Sequence, residues 1–160
     1  MVLFFALLLA LALPASASAS HRGDLWATVN VCDTEDHPNV LGVRASMPGN
    51  GTRQTMWMRF RASYFDRATG RWRRVGGSAA SDWIKLGNAR FRSRQAGRMF
   101  TIEPPFPTTS HVVRGIVQYQ WRRKRRVVKR RKQKTLSGHP TGRHGDPRGY
   151  SNGICEIAFP

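Results

Sequence analysis

The sequence predicts an all-β chain, an antiparallel two-sheet sandwich preceded by an N-terminal signal helix. Three observations carry that expectation. Short runs of alternating apolar and polar residues recur along the chain, separated by turn residues. After the first twenty residues no stretch of ten or more keeps a helical period, and no repeat occurs. The chain opens on an uncharged apolar run and afterwards carries only two cysteines, Cys32 and Cys155, near the two ends of what remains.

The opening run, Val2 to Leu13, reads VLFFALLLALAL, and Pro14 breaks it before the small residues of Ala15 to Ser20. At ~1.5 Å per residue it reaches about 18 Å, short of the ~30 Å hydrocarbon core. Ala15-Ser16-Ala17 and Ala17-Ser18-Ala19 both offer the small-x-small pattern of a signal-peptide cleavage site, so residues 1–19 read as a signal peptide, the competing reading being a buried N-terminal helix. No Lys or Arg precedes the run, as expected if the start codon lies upstream. Residues 20–160 then form one domain of ordinary single-core size, which places the protein in a secreted or extracytoplasmic setting with no transmembrane segment in the mature chain.

The strands follow in order. Leu25 to Cys32 alternates, with Ala27, Val29 and Val31 on one face and Trp26, Thr28, Asn30 and Cys32 on the other. The polar turn DTEDHPN leads to Val40–Met47, and PGNGT ends that run. Thr55 to Asp66 is the clearest strand: Met56, Met58, Phe60, Ala62 and Tyr64 point one way, Trp57, Arg59, Arg61 and Ser63 the other. A Gly-containing turn and Trp72–Val75 complete a hairpin. Asp82–Leu86 reads as a short strand, Arg90–Arg94 as irregular or one helical turn, and Arg98–Glu103 as a strand ended by Pro104, Pro105 and Pro107. His111 to Trp121 is the longest strand signal and begins a basic hairpin of about 111–136. A Gly/Pro/His loop over 137–149 follows, and Tyr150–Phe159 is the last strand, carrying Cys155.

This rhythm over residues 25–159 resembles the immunoglobulin or fibronectin type III sandwich, and more closely the small secreted bacterial β-sandwich proteins of unknown function. In antibody-type domains a disulfide joins two middle strands across the core. Two cysteines in an exported chain are expected to pair, and here a Cys32–Cys155 bridge clamps the first and last strands instead. The competing reading is a pair of buried thiols in a reduced compartment.

The formal net charge is +18, from 27 Lys and Arg against 9 Asp and Glu. Ten of the basic residues fall in the fourteen-residue segment Trp121 to Lys134, WRRKRRVVKRRKQK. Charges on both faces cannot be buried, so the hairpin end is expected to project as a cationic finger. Its contact residues are Arg122, Arg123, Lys124, Arg125, Arg126, Lys129, Arg130, Arg131 and Lys132, as donors to phosphate or sulfate. The plainer alternative is a solvated edge whose like charges discourage sheet-to-sheet aggregation. A second set pairs Trp57, Arg59, Arg61 and Phe65 with Arg71, Trp72, Arg73 and Arg74, either as a guanidinium–indole platform or as ordinary cross-strand stacking.

Catalytic and cofactor signals are weak. Asp33, Glu35 and Asp36 cluster in one turn without the ligand pattern of a calcium loop. His139, His144 and Asp146 share the 137–149 loop, without a third His nearby to complete a metal site. No nucleophile elbow, zinc-protease or phosphate-loop motif occurs. The expectation is a secreted, non-catalytic domain without cofactor or metal, whose basic hairpin contacts a cell-wall polymer, an anionic surface or nucleic acid. The alternative is a structural or assembly module of the cell envelope with incidental charge and a protein partner. Enzyme activity would call for a concave pocket gathering His111 or His139 with a carboxylate.

Overall fold

The computed structural model describes residues 24–103, 110–140 and 142–159. The signal segment 1–19 and the prolines at 104, 105 and 107 lie outside them. Among the described residues the strands are β1 (Trp26–Cys32), β2 (Val40–Pro48), β3 (Thr55–Asp66), β4 (Arg71–Arg74), β5 (Ile84–Asn88), β6 (Ser93–Thr101), β7 (Ser110–Arg123), β8 (Arg126–Lys134) and β9 (Cys155–Ala158). They make two antiparallel sheets. The smaller has the order β1-β2-β6; the larger runs β4-β3-β7-β8, with β5 also on β3 and β9 also on β7.

Both sheets supply one core. Ala27, Val29, Leu41, Val43, Ala45 and Met47 come from the smaller sheet, and Met56, Met58, Phe60, Val113, Val117, Tyr119 and Trp121 from the larger. The alternation in β3 and β7 sets which residues these are, because a pleated strand presents every second side chain to one face. At one point the sheets nearly touch. A Cβ built on Gly115 of β7 would lie 2.6 Å from Val43 Cγ2, so only glycine fits beneath Val43. Tyr119 ties the layers by donating its hydroxyl to the Trp26 carbonyl at 2.9 Å. Burial pushes the pKa of that phenol up from its ordinary value.

Strict alternation fails in β1. The register passes from Val29↔Val43 to Val31↔Gly42, which leaves Asn30 as an extra residue. Beyond this bulge the phase reverses. Val31 turns away from the core and packs over Gly42, where a Cβ would meet Val31 Cβ at 2.6 Å. Cys32, opposite the core residue Leu41, turns inward. The expected grouping of Val31 with Ala27 and Val29, and of Cys32 with Thr28, is therefore corrected: one bulge exchanges the faces. Cys32 bonds Cys155, Cα to Cα 5.4 Å, so the bridge joins the terminal strands and also joins the two sheets.

Three boundaries also differ from the sequence reading. Strand β6 begins at Ser93, where a short irregular stretch was expected, because its backbone pairs with β2 from Pro48↔Ser93 to Val40↔Thr101. Strand β5 runs to Asn88, two residues beyond the expected Leu86. The last strand is only Cys155–Ala158, since the residues before it are used elsewhere. Leu136 N–H donates to the Ala27 carbonyl at 2.8 Å, Asp146 N–H to Asn30 at 2.8 Å, and Asn152 exchanges both backbone bonds with Val29. Leu136, Asp146 and Asn152 thus line the free edge of β1, where Thr28 and Asn30 are buried. An exposed edge would otherwise be open to pairing with another chain.

Candidate polyanion-binding face

The outer face of the larger sheet is built by the odd residues of β3 and the even residues of β7. Their neighbours extend it in cross-strand rows: Arg74–Ser63–Arg114, Arg61–Ile116–Lys134, Arg59–Gln118–Lys132, Lys85–Trp57–Gln120–Arg130 and Thr55–Arg122. Successive rows are two residues apart, about 6.8 Å along the strand. Each row contributes at least one cation, and none of these positions holds a carboxylate.

The aromatic residues hold the cations in place. Arg114 lies over the Trp72 ring at 3.9 Å, and Arg122 over Trp57 at 4.3 Å and Trp83 at 5.0 Å. Arg122 Nε also donates to Gln120 Oε1 at 2.8 Å, and Arg59 Nε to the Ser81 carbonyl at 2.9 Å. Guanidinium groups fixed on indoles keep their charge while losing conformational freedom. Trp57 donates its indole N–H to Thr55 Oγ1 at 3.0 Å. The rings therefore serve as supports beneath the charges, which occupy the stacking faces that a base or sugar would take.

The nine hairpin residues chosen from sequence divide among three places. Arg122, Arg130 and Lys132 belong to the outer face. Lys129 and Arg131 face the other way, opposite Trp121 and Tyr119, with Lys129 Nζ 5.0 Å from the Trp121 ring centre. Arg123, Lys124, Arg125 and Arg126 form the exposed turn, in which Lys124 has φ +53°, a left-handed conformation suited to a two-residue hairpin loop. The freely projecting finger is corrected. β8 pairs with β7 from Ile116↔Lys134 to Arg123↔Arg126, and β3 flanks β7 as far as Arg122, so the segment is a sheet edge and only its turn extends beyond. Its charges are tolerated because seven of the nine β8 residues are exposed.

The second basic-aromatic set meets the first on this same face. Arg59, Arg61, Trp57, Trp72 and Arg74 are there, whereas Arg73 turns aside to donate from Nε to Asp66 Oδ2 at 2.6 Å. Sequence reasoning passed over Arg114, Lys134 and Lys85 as contacts. The usable signal was the alternation of β7, which already set Arg114 apart from Val113.

Between β4 and β8 the face dips into a cleft of about 190 Å³ whose walls include Arg61, Arg74, Arg114 and Lys132. Ser63 lies within it and is almost fully buried. Burial, with Arg59 and Arg74 adding repulsion, lowers the Arg61 pKa from its ordinary value, and burial does the same at Arg114. The Nε atoms of both arginines are buried and lack a hydrogen-bond partner.

The other candidates are placed as follows. Asp33 closes its own turn, accepting from Asn39 N–H at 2.7 Å and Ala158 N–H at 3.0 Å. Asp146 accepts from Thr34 Oγ1 and, at 2.9 Å, from His37 Nδ1. His139 stacks on Trp26 with ring centres 5.2 Å apart, and the His144 carbonyl accepts from Asn30 Nδ2. His111 packs edge-on against Tyr64 and Phe159 beside a cavity of about 430 Å³ that Glu103 also lines. Among the described residues no helix is long and apolar enough to cross a membrane. No family model, curated protein or solved structure matches this chain.

Proposed function

We propose that the protein is a secreted, non-catalytic, immunoglobulin-like β-sandwich that holds an anionic polymer along the outer face of its larger sheet. The observation that carries this reading is the unbroken series of cationic rows from Arg74 to Arg122, free of carboxylates and braced by tryptophans. A repeated array of fixed cations suits a ligand with repeated phosphate or sulfate groups, such as a cell-wall polymer, an anionic surface or a nucleic acid. The basic hairpin supplies one edge of that face. The alternative of a protein-packing envelope module is less well supported, since Arg114 and Arg122 cover the rings that a protein partner would bury.

Retention on immobilised heparin tests the reading. The wild-type protein is expected to bind at low salt and to elute with a steep salt dependence, the mark of counterion release. Passage through the column at low salt would exclude a polyanion-binding face.

A further inference from the structure

The rows of cations account for binding along a polymer, but they do not account for the cleft at one end. Arg61 comes from β3, Arg74 from β4, Arg114 from β7 and Lys132 from β8, so four strands bring one positive charge each to the same small space. The lining includes Ser63 and Gln118 and no carboxylate, and Arg73, the remaining cation on its wall, already pairs with Asp66. Buried donors normally find partners, because an unmade hydrogen bond away from water is costly. Two guanidinium Nε–H groups here have none, and because both atoms are shielded from the open space, an anion in the cleft would be met by the terminal nitrogens of Arg61 and Arg114. Arg114 cannot easily swing out to water, since its plane is held on Trp72 at 3.9 Å.

We infer that this cleft is a discrete subsite for one tetrahedral oxyanion, a phosphoryl or sulfuryl group of the bound polymer. The inference rests on the polyanion reading and narrows it. A tetrahedral oxyanion offers acceptors in several directions at once, matching donors that converge from four strands. Planar guanidinium forks at Arg61 and Arg114 can each make paired hydrogen bonds to it, which an ammonium group cannot. The cleft thereby selects multivalent oxyanions over chloride or isolated carboxylates.

The test is thermal unfolding of the full domain titrated with inorganic phosphate and with sulfate, against sodium chloride at equal ionic strength. Both oxyanions are expected to raise the midpoint saturably, beyond any effect of chloride. Arg61→Lys with Arg114→Lys keeps the charge but removes the forks, and is expected to weaken phosphate binding about tenfold. Arg61→Met with Arg114→Met is expected to abolish the saturable response; if that variant fails to fold, the lysine pair still decides. An equal response to phosphate and chloride in the wild type overturns the subsite, as does an undiminished response in the lysine pair. Heparin retention of the wild type separates the two readings. Retention without a phosphate response removes only the cleft, whereas a phosphate response without retention removes only the polymer.

Discussion

The Cα atoms of Cys32 and Cys155 stand 5.4 Å apart, one at the end of an edge strand of the smaller sheet and the other at the start of an edge strand of the larger. The bond closes a sequence separation of 123 residues, nearly the whole described domain. In the loop-entropy account a closure of that length contributes roughly 5 kcal/mol, by restricting the unfolded chain. Cys32→Ala with Cys155→Ala is therefore expected to unfold at markedly lower urea than the wild type. Adding dithiothreitol should bring the wild type close to the variant and leave the variant unchanged. A stability difference below about 1 kcal/mol would refute a loop-closing role for the bridge.

Gly115 carries a separate constraint, because the space its Cβ would need is filled by Val43 Cγ2 at 2.6 Å and Thr135 Cγ2 at 2.8 Å. Gly115→Ala should cost about 1–3 kcal/mol through overpacking, despite alanine's lower backbone entropy loss. Val43→Ala in the same chain should recover part of that loss, since it vacates the contact. The coupling is read from urea unfolding of both single variants and the double variant. Additive losses would show that the sheets can separate slightly at this point and that the contact is not limiting.

These contacts also show which features a sequence can display. β3 was legible because its faces differ sharply in polarity, methionines and Phe60 inside against Trp57, Arg59 and Arg61 outside. The inward turn of Cys32 was not, since it depends on a single extra residue, Asn30, that no local composition marks. The start of β6 at Ser93 was hidden for a different reason: it is specified by backbone pairing to β2, while its side chains are largely exposed. Each half of the candidate site was visible as a cluster of charge. Their union was not, because it follows from β3 and β7 being neighbours in the sheet, a long-range pairing that alternation within either strand does not announce.

Asp146 gives a pH dependence of defined sign. Its carboxylate accepts hydrogen bonds from Thr34 and His37, which hold its pKa below the ordinary carboxylate value. A depressed pKa means stabilisation that is present above the unfolded value of about 3.9 and is lost as pH falls through the folded value. Asp146→Asn should therefore melt below the wild type at neutral pH, with the gap narrowing as the solution is acidified past that window. Melting temperatures between pH 7 and pH 2 provide the check. A gap that stays constant with pH would assign the effect to lost shape or backbone geometry and not to the charge.

The two parts of the basic hairpin should differ in how they engage a polymer. Arg130, Lys132 and Lys134 stand in line with the β3 and β7 cations, whereas Arg123, Lys124 and Arg125 sit in the exposed turn at one end. Replacing either trio by Gln removes the same formal charge, so a merely global attraction would be weakened equally. A ligand lying along the rows loses direct contacts only from the first trio, and each phosphate contact contributes about 0.7–0.9 to the slope of log affinity against log salt. The outer-face variant should accordingly lower that slope by about 2 to 3 for a nucleic-acid probe, while the turn variant changes it by less than half as much. Fluorescence anisotropy with a labelled single strand across a salt series measures both. Equal slopes for the two variants would place the binding in the diffuse field of the domain and remove the ordered rows as its basis.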